Sequence, residues 1–330
     1  AMHSLKVLLI SLIEQLIMHE ANVPTIDLQK AAVDPSQLKL LDLACRDHGF
    51  FLLKNHGMQK EIDDMWQMSE WFFRQPREEK LKIIRTETIP LGYYDRELTK
   101  QKRDLKEVFD FMYPKLSGED LNQWPENSEF RSTMETFFSK ASHVAEETLQ
   151  LIFLNLNSNS SRLPNGAGST SNARLNFYPL DDPLEESTRN EITNLGDMAL
   201  HHHTDPGILT LLLQDMTGGL QTKSKEFGWI DIEPELDTIV VNLGDAMQVW
   251  TNDKYVAAIH RVTKRTKKAR YSTPYFYNPK RDAVIQPLEQ ILDKDPKYVP
   301  FTWKEYIQGR VDDNYTDLGE EDIQISRFRA

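Results

Sequence analysis

Residues 199–215 read ALHHHTDPGILTLLLQD. Three consecutive histidines resemble a purification tag, but a tag sits at a terminus and is not followed by an apolar run of strand length. Here Gly207 and Asp215 bound such a run, the pattern of a buried strand. On an extended segment, residues two apart point to one face. His203 and Asp205 therefore offer an imidazole and a carboxylate to a common point. His202 faces the opposite way and reads as structural or solvent-facing, while His201 lies one pleat away, as a neighbour of the site.

The same period extends outward from this stretch. ARLNFYPL, GGLQTKS, GWIDIEP, TIVVNL, AIHRVTK and RYSTPYFYNP are short runs rich in β-branched and aromatic residues, separated by Gly, Asp, Asn and Pro. Many short strands with turn signals between them predict a sandwich, jelly roll or barrel. Gly218 and Gly219 read as a turn. NLGDAMQVWTN, residues 242–252, reads as a hairpin turning near Gly244, with Trp250 in the core.

The flanks follow a different rhythm. QLKLLDLACRDHG, QKEIDDMWQMSEWFF and the long run from Asn127 to Leu156 have helical spacing. FFLLKNHG is a buried strand among them. The expected layout is an N-terminal helix or leader (1–22), a helical N-terminal part (23–156), a polar loop (157–172), a β core (173–280) and a helical tail (281–330), integrated into one structural domain. The class is mainly β with flanking helices.

Composition narrows the function. The chain of 330 residues has a net charge of −12. That disfavours nucleic acid and anionic membrane surfaces, which require a positive footprint. Its one cysteine, Cys45, excludes an intrachain disulfide and fits a reducing, cytoplasmic setting. A monomer acting on a small molecule is the expected state.

A metal site needs a third ligand beside His203 and Asp205. His260, in AAIHRVT, is the histidine downstream in the β-rich half. Two imidazoles and one carboxylate on one face leave coordination positions open, as in non-haem Fe(II) oxygenases. The same donors can also hold zinc for hydrolysis. Arg270 and Ser272 share a strand face and make a clamp for a carboxylate. Asn176 and Tyr178 form a second same-face pair, an amide and a phenol. By alternation Arg174 joins that face and favours an anionic substrate, unless it pairs with the acidic loop LDDPLEEST. Phe276 and Asn278 extend the face of Arg270. Tyr93 and Phe109, from the N-terminal part, are further candidates for substrate contact.

The motifs NFYP, HTD, GGLQ, VVNLGDAMQVWTND, HRV and RYSTPYF, preceded by VPTIDL, ACRDHGFFLLKNHG, FFRQPREEK, GY and DLKEVFDF, span roughly residues 23–278 in order. In them the sequence resembles the Fe(II)- and 2-oxoglutarate-dependent dioxygenases of the isopenicillin N synthase-like, plant-type class. The resemblance implies a double-stranded β-helix (jelly-roll) core and iron bound by His203, Asp205 and His260. It implies 2-oxoglutarate held at its distal carboxylate by Arg270 and Ser272, with Tyr178 and Asn176 assisting. O2 would be the second cosubstrate, and succinate and CO2 would be released as a small molecule is oxidised. Hydroxylation is the default outcome, with desaturation or ring closure as the next expectation. An iron oxidase of the same fold that does without 2-oxoglutarate, and a non-catalytic jelly-roll binding module, are the competing readings.

Overall fold

A computed structural model describes residues 22–99, 101–115, 120–160, 163–164, 170–224, 227–265, 267–293, 295–315 and 324–330. The leader or helix expected over 1–22 falls outside them except for Asn22, as does part of the polar loop. In chain order the elements are β1 (Thr25–Asp27), α1 (Leu28–Ala31), α2 (Pro35–Asp47), β2 (Phe50–Lys54), α3 (Gln59–Phe73) and α4 (Arg77–Leu81). Next come β3 (Gly92–Tyr94), β4 (Leu98–Thr99), β5 (Lys102–Arg103), β6 (Glu107–Met112), α5 (Ser128–Asn155), β7 (Asn172–Tyr178), α6 (Glu186–Asn190) and β8 (Leu200–His203). β9 (Leu209–Gln214), β10 (Leu220–Ser224), β11 (Gly228–Asp231), β12 (Thr238–Leu243), α7 (Asp245–Trp250), β13 (His260–Val262) and β14 (Arg270–Tyr277) follow. The chain closes with β15 (Val284–Ile285), β16 (Phe301–Thr302), α8 (Trp303–Tyr315) and a 3-10 turn at Ile325–Phe328.

Strands β7 to β14 build two facing layers, β12-β9-β14-β7 and β11-β10-β13-β8. Apart from the β10–β11 hairpin, successive strands alternate between layers. That is the double-stranded β-helix. The larger layer continues on both sides, through β2 and β1 beyond β12 and through β6 and β3 beyond β7, into an eight-stranded sheet. The N-terminal part is thus more than helical: four of its strands complete the sheet. EVFDFM of β6 is buried on both faces along most of its length, which removes the alternation that marks a half-exposed strand.

Alternation along the strands feeds two cores. Phe51 and Leu53 face outward and Phe50 and Leu52 inward. The outer core is covered by α2, α3 and α5. Asn127 caps α5, accepting from the N–H of Glu129 and Phe130. The face of α5 carrying Phe130, Phe137, Ala141 and Leu149 packs with Phe109, Leu175, Leu211 and Tyr275 of the sheet. Truncating any of these large apolar side chains to Ala is worth about 2–5 kcal/mol. Tyr93 and Phe109 belong here. Both are fully buried, on β3 and β6. Phe109 lies among Phe72, Phe111, Trp124 and Phe130, and Tyr93 donates to Glu107 at 2.6 Å. They are core residues on the far side of the sheet, not substrate contacts.

Two other expectations change. Residues 242–252 are not a hairpin. β12 ends at Leu243 and α7 starts behind Gly244. The chain there runs hard against the segment after Asp205: a Cβ on Gly244 would lie 2.2 Å from the Gly207 carbonyl oxygen. The first N–H groups of α7 find acceptors in that segment, Asp245 N–H on the Asp205 carbonyl (2.8 Å) and Ala246 N–H on that of Gly207 (3.1 Å). A helix N-terminus capped by a neighbouring backbone has no side-chain signature in its own sequence. Trp250 is buried as expected. The tail is helical only from Trp303. Before it, Pro287, Pro296 and Pro300 break the pattern, and β15 pairs with β16. Gly218 and Gly219 follow directly on a turn at Met216 and Thr217 and carry φ of +78° and +98°. Among the described residues no helix is long and apolar enough to cross a membrane.

Candidate metal centre and its cavity

β13 pairs antiparallel with β8, placing His260 opposite His203. Between His260 and Val262 the register slips, so that Val262 meets Leu200. This bulge re-aims β8. Leu200 and His203 line the cavity between the layers, whereas His201 turns away and meets Asp104, Nδ1 to Oδ1 2.9 Å. His202 is exposed and edge-on to Trp229.

The donor atoms of His203, Asp205 and His260 all lie within 4.8 Å of one another. Each imidazole Nε2 is 3.6 Å from Asp205 Oδ1. The other nitrogens are occupied: His203 Nδ1 faces the His201 carbonyl at 2.8 Å and His260 Nδ1 that of Ala258 at 3.1 Å. Such contacts fix the tautomer that leaves Nε2 free for a metal. Asp205 is held the same way. Its Oδ2 accepts from Thr210 Oγ1 (2.6 Å) and Asn242 Nδ2 (2.8 Å), which turns Oδ1 towards the histidines. Burial disfavours the Asp205 charge, but His260, His203 and the Thr210 hydroxyl outweigh it and hold the carboxyl below the usual range. Burial, together with neighbouring His203, brings His260 down to about 4. Metal ligation uses the neutral imidazole and the ionised carboxylate, the forms that these shifts of His260 and Asp205 favour.

The cavity extends from these donors for about 420 Å³. One end is formed by β14 and β7, whose register pairs Arg270 with Tyr178 and Ser272 with Asn176. The two same-face pairs seen in sequence are therefore direct cross-strand neighbours. Arg270 is fully buried, with its guanidinium carbon 5.1 Å from the Tyr178 ring centre. It makes a long 3.4 Å contact to Gln214 and lies against the Tyr178 phenol, and among the described residues Nε and Nη1 have no hydrogen-bond partner. Asn176 donates weakly to Ser272 at 3.4 Å while its buried Oδ1 is unsatisfied. Buried cationic donors without acceptors call for an anion. These residues fit a small dicarboxylate reaching from Arg270 to the metal donors.

The other end is built differently. Arg174 lines the cavity but is fully engaged. It makes a forked pair with Asp110 (2.7 and 2.9 Å) and an ion pair with Glu97 (3.2 Å), with Arg85 closing the cluster. It pairs with β6, not with the acidic loop, whose Asp182 instead meets Arg103. Phe276 lines the cavity; Asn278 also does so but anchors to Thr170 through its amide at 3.1 Å. Further wall comes from Glu97, Leu98, Thr99 and Lys106 and from α8, through Trp303, Ile307, Arg310 and Val311. Arg310 binds Asp245 at 2.9 Å and the Thr204 carbonyl at 2.7 Å, tying the helix to the segment between two metal donors.

Thr210, Asn242 and the place of α8 in the cavity wall escaped sequence reading. For the first two a signal existed: each is a polar residue interrupting an apolar strand on its inward face. For α8 the helix was expected within the tail, but nothing in its sequence says which surface it covers.

Known proteins show the same combination. The 2OG-Fe(II) oxygenase superfamily model matches residues 169–279, and that of the non-haem dioxygenase in morphine synthesis N-terminal region matches residues 23–127. The chain is 32% identical to 1-aminocyclopropane-1-carboxylate oxidase 3 of Arabidopsis thaliana over 86% of this chain and 87% of that protein. A full-length Neurospora crassa protein, solved in complex with alpha-KG, superposes with a TM-score of 0.74 at 28% identity, covering 86% of this chain and 94% of that one. JOX2 in complex with 2OG, Fe and JA gives a TM-score of 0.76 at 25% identity, covering 94% and 89%.

Proposed function

This chain belongs to the 2OG-Fe(II) oxygenase superfamily, an oxidoreductase using iron and 2-oxoglutarate, and we propose that it hydroxylates an amphipathic, carboxylate-bearing small molecule. Supporting this, one cavity joins the donor set His203, Asp205 and His260 to the partnerless guanidinium of Arg270.

In this reading His203 Nε2, His260 Nε2 and Asp205 Oδ1 hold the iron, with Thr210 and Asn242 keeping the carboxylate turned towards it. Arg270 and Ser272 receive the distal carboxylate of 2-oxoglutarate, and Tyr178 and Asn176 pack beside it. The bound iron, cosubstrate and O2 supply the oxidising chemistry, with succinate and CO2 leaving. The chain's own contribution is positioning and exclusion of water, by Leu200, Leu212, Leu220 and Val262 around the cosubstrate end. At the opposite end Phe276, Trp303, Ile307 and Val311 offer an apolar wall against which a carbon skeleton packs. Hydroxylation is the outcome needing the least from the substrate, since desaturation or ring closure requires a second reactive centre held in place.

The test is O2-dependent succinate formation from 2-oxoglutarate by Fe(II)-loaded protein, across a panel of small organic acids, with His203→Ala as control. Succinate that rises with one acid and vanishes in the control is the expected result. Metallated protein that forms none with any acid contradicts the proposal.

A further inference from the structure

We propose that Lys106 is the anchor for the carboxylate of the prime substrate, a role that presupposes the oxygenase reading above. Lys106 immediately precedes β6. The register Glu107↔Phe177 sets it beside Tyr178, on the cavity face shared by Val108 and Asp110. It is only 5% exposed, and it lines the cavity together with Leu98 and Thr99.

The ammonium has no hydrogen-bond acceptor among the described residues. Its nearest counterion, Asp104 Oδ2, lies at 3.6 Å, beyond hydrogen-bond reach. The Asp104 oxygens are occupied elsewhere, Oδ1 by His201 Nδ1 (2.9 Å) and Oδ2 by the Thr99 hydroxyl (2.8 Å). Lys80 shows what a settled lysine looks like at the same burial. It donates to Glu107 at 2.6 Å and to the Phe73 carbonyl at 3.1 Å. A buried ammonium whose three donors go unused is unfavourable unless a ligand completes it.

Apart from Arg270, the other cations lining the cavity are committed. Arg174 is shared between Asp110 and Glu97, and Arg310 between Asp245 and Thr204. Glu97 faces the same cavity and feels the Lys106 charge, but its direct contacts go to Arg174 and Arg85. Lys106 also stands apart from the cosubstrate clamp. Arg270 lies across Tyr178 in the same row, two strands and roughly 10 Å away. One carboxylate at each cation is therefore a two-ligand arrangement. It orients the substrate with its anionic end at Lys106 and its carbon skeleton on the α8 wall.

The experiment uses the full chain loaded with Fe(II) and 2-oxoglutarate under anaerobic conditions. Isothermal titration is run with matched acids and primary amides, 3-phenylpropanoate against 3-phenylpropanamide and octanoate against octanamide. The expected result is at least tenfold tighter binding of the acids by the natural chain. Lys106→Met should abolish that preference, Lys106→Arg should retain most of it, and 2-oxoglutarate affinity should stay within about twofold in both. Equal binding of acid and amide, no binding of either, or a preference surviving in Lys106→Met overturns the proposal. So does a loss of 2-oxoglutarate affinity in Lys106→Met, which would place the lysine at the cosubstrate. A large fall in melting temperature in Lys106→Met would show that the ammonium serves the fold, and would overturn it too. Failure of the oxygenase reading is distinct: the natural chain would then not bind 2-oxoglutarate at all.

Discussion

Arg270 and Arg174 stand on the same inner face of one sheet, on the adjacent strands β14 and β7, and in sequence they invite the same reading. Arg270 keeps two nitrogens without a partner in a fully buried setting. Arg174 is saturated by Asp110 and Glu97. The difference comes from the strand next door. β6 brings Asp110 opposite Arg174, whereas Arg270 is flanked by Tyr178, which has no charge to offer. A guanidinium in a cavity is a binding group only where its cross-strand neighbours leave it unanswered.

The largest effect separating the two should be Arg270→Ala. Losing a charge-assisted fork to a buried carboxylate is worth about 3 kcal/mol, so the KM for 2-oxoglutarate should rise roughly 100-fold, read from initial rates of succinate formation. A change below about threefold would erase the contrast. Arg174→Ala should leave that KM within about twofold and act on stability instead. It leaves Asp110 and Glu97 to share Arg85, at about 2–3 kcal/mol after discounting for the arginine's partial exposure, measured by urea unfolding. Arg174→Met combined with Asp110→Leu should recover much of the loss. A KM shift matching that of Arg270→Ala would break the comparison.

The smallest effect concerns acid. Burial opposes the charge of Glu97, yet Arg174, Arg85 and Lys106 bring its pKa from 4.5 down to about 2. A carboxylate depressed on folding contributes stability that is complete above its unfolded pKa and is lost as pH falls through the folded one. The decline in stability between pH 4.5 and 2 should therefore be shallower in Glu97→Gln than in the natural chain. Parallel acid-unfolding curves would mean that the cluster around Arg174 is looser than its distances indicate.

Much of the site was legible because a strand with one face in a cavity announces itself by polar residues two apart. His203 with Asp205, Asn176 with Tyr178, and Arg270 with Ser272 all follow that rule. What alternation cannot give is the neighbouring strand. The Asp110–Arg174 fork depends on β6 joining the sheet, and β6, buried on both faces with an acid on each, carries no period. The bulge in β8 decides which way His201 turns, and a register slip belongs to a pair of strands and is written in neither alone. The helix α7, capped by the backbone after Asp205, was hidden for a similar reason. Lys106 sat within the motif DLKEVFDF, but its missing acceptor is a property of three dimensions only.

The anchoring of Arg310 has a consequence for the order in which the molecule is made. All three metal donors have been synthesised once His260 is in place. Yet Asp245, whose burial raises its pKa against the pull of Arg310, Tyr306 and Thr204, has no cation until α8 arrives. At the other end of the chain, β2 must wait for β12, because Phe51 pairs with Val241. Pairings this distant in sequence form late. The segment that locks the loop between His203 and Asp205 therefore follows all three donors in the order of synthesis. The expected outcome is that apo chains fold first and take up metal afterwards, read by comparing the circular dichroism and melting of metal-free and Fe(II)-loaded protein.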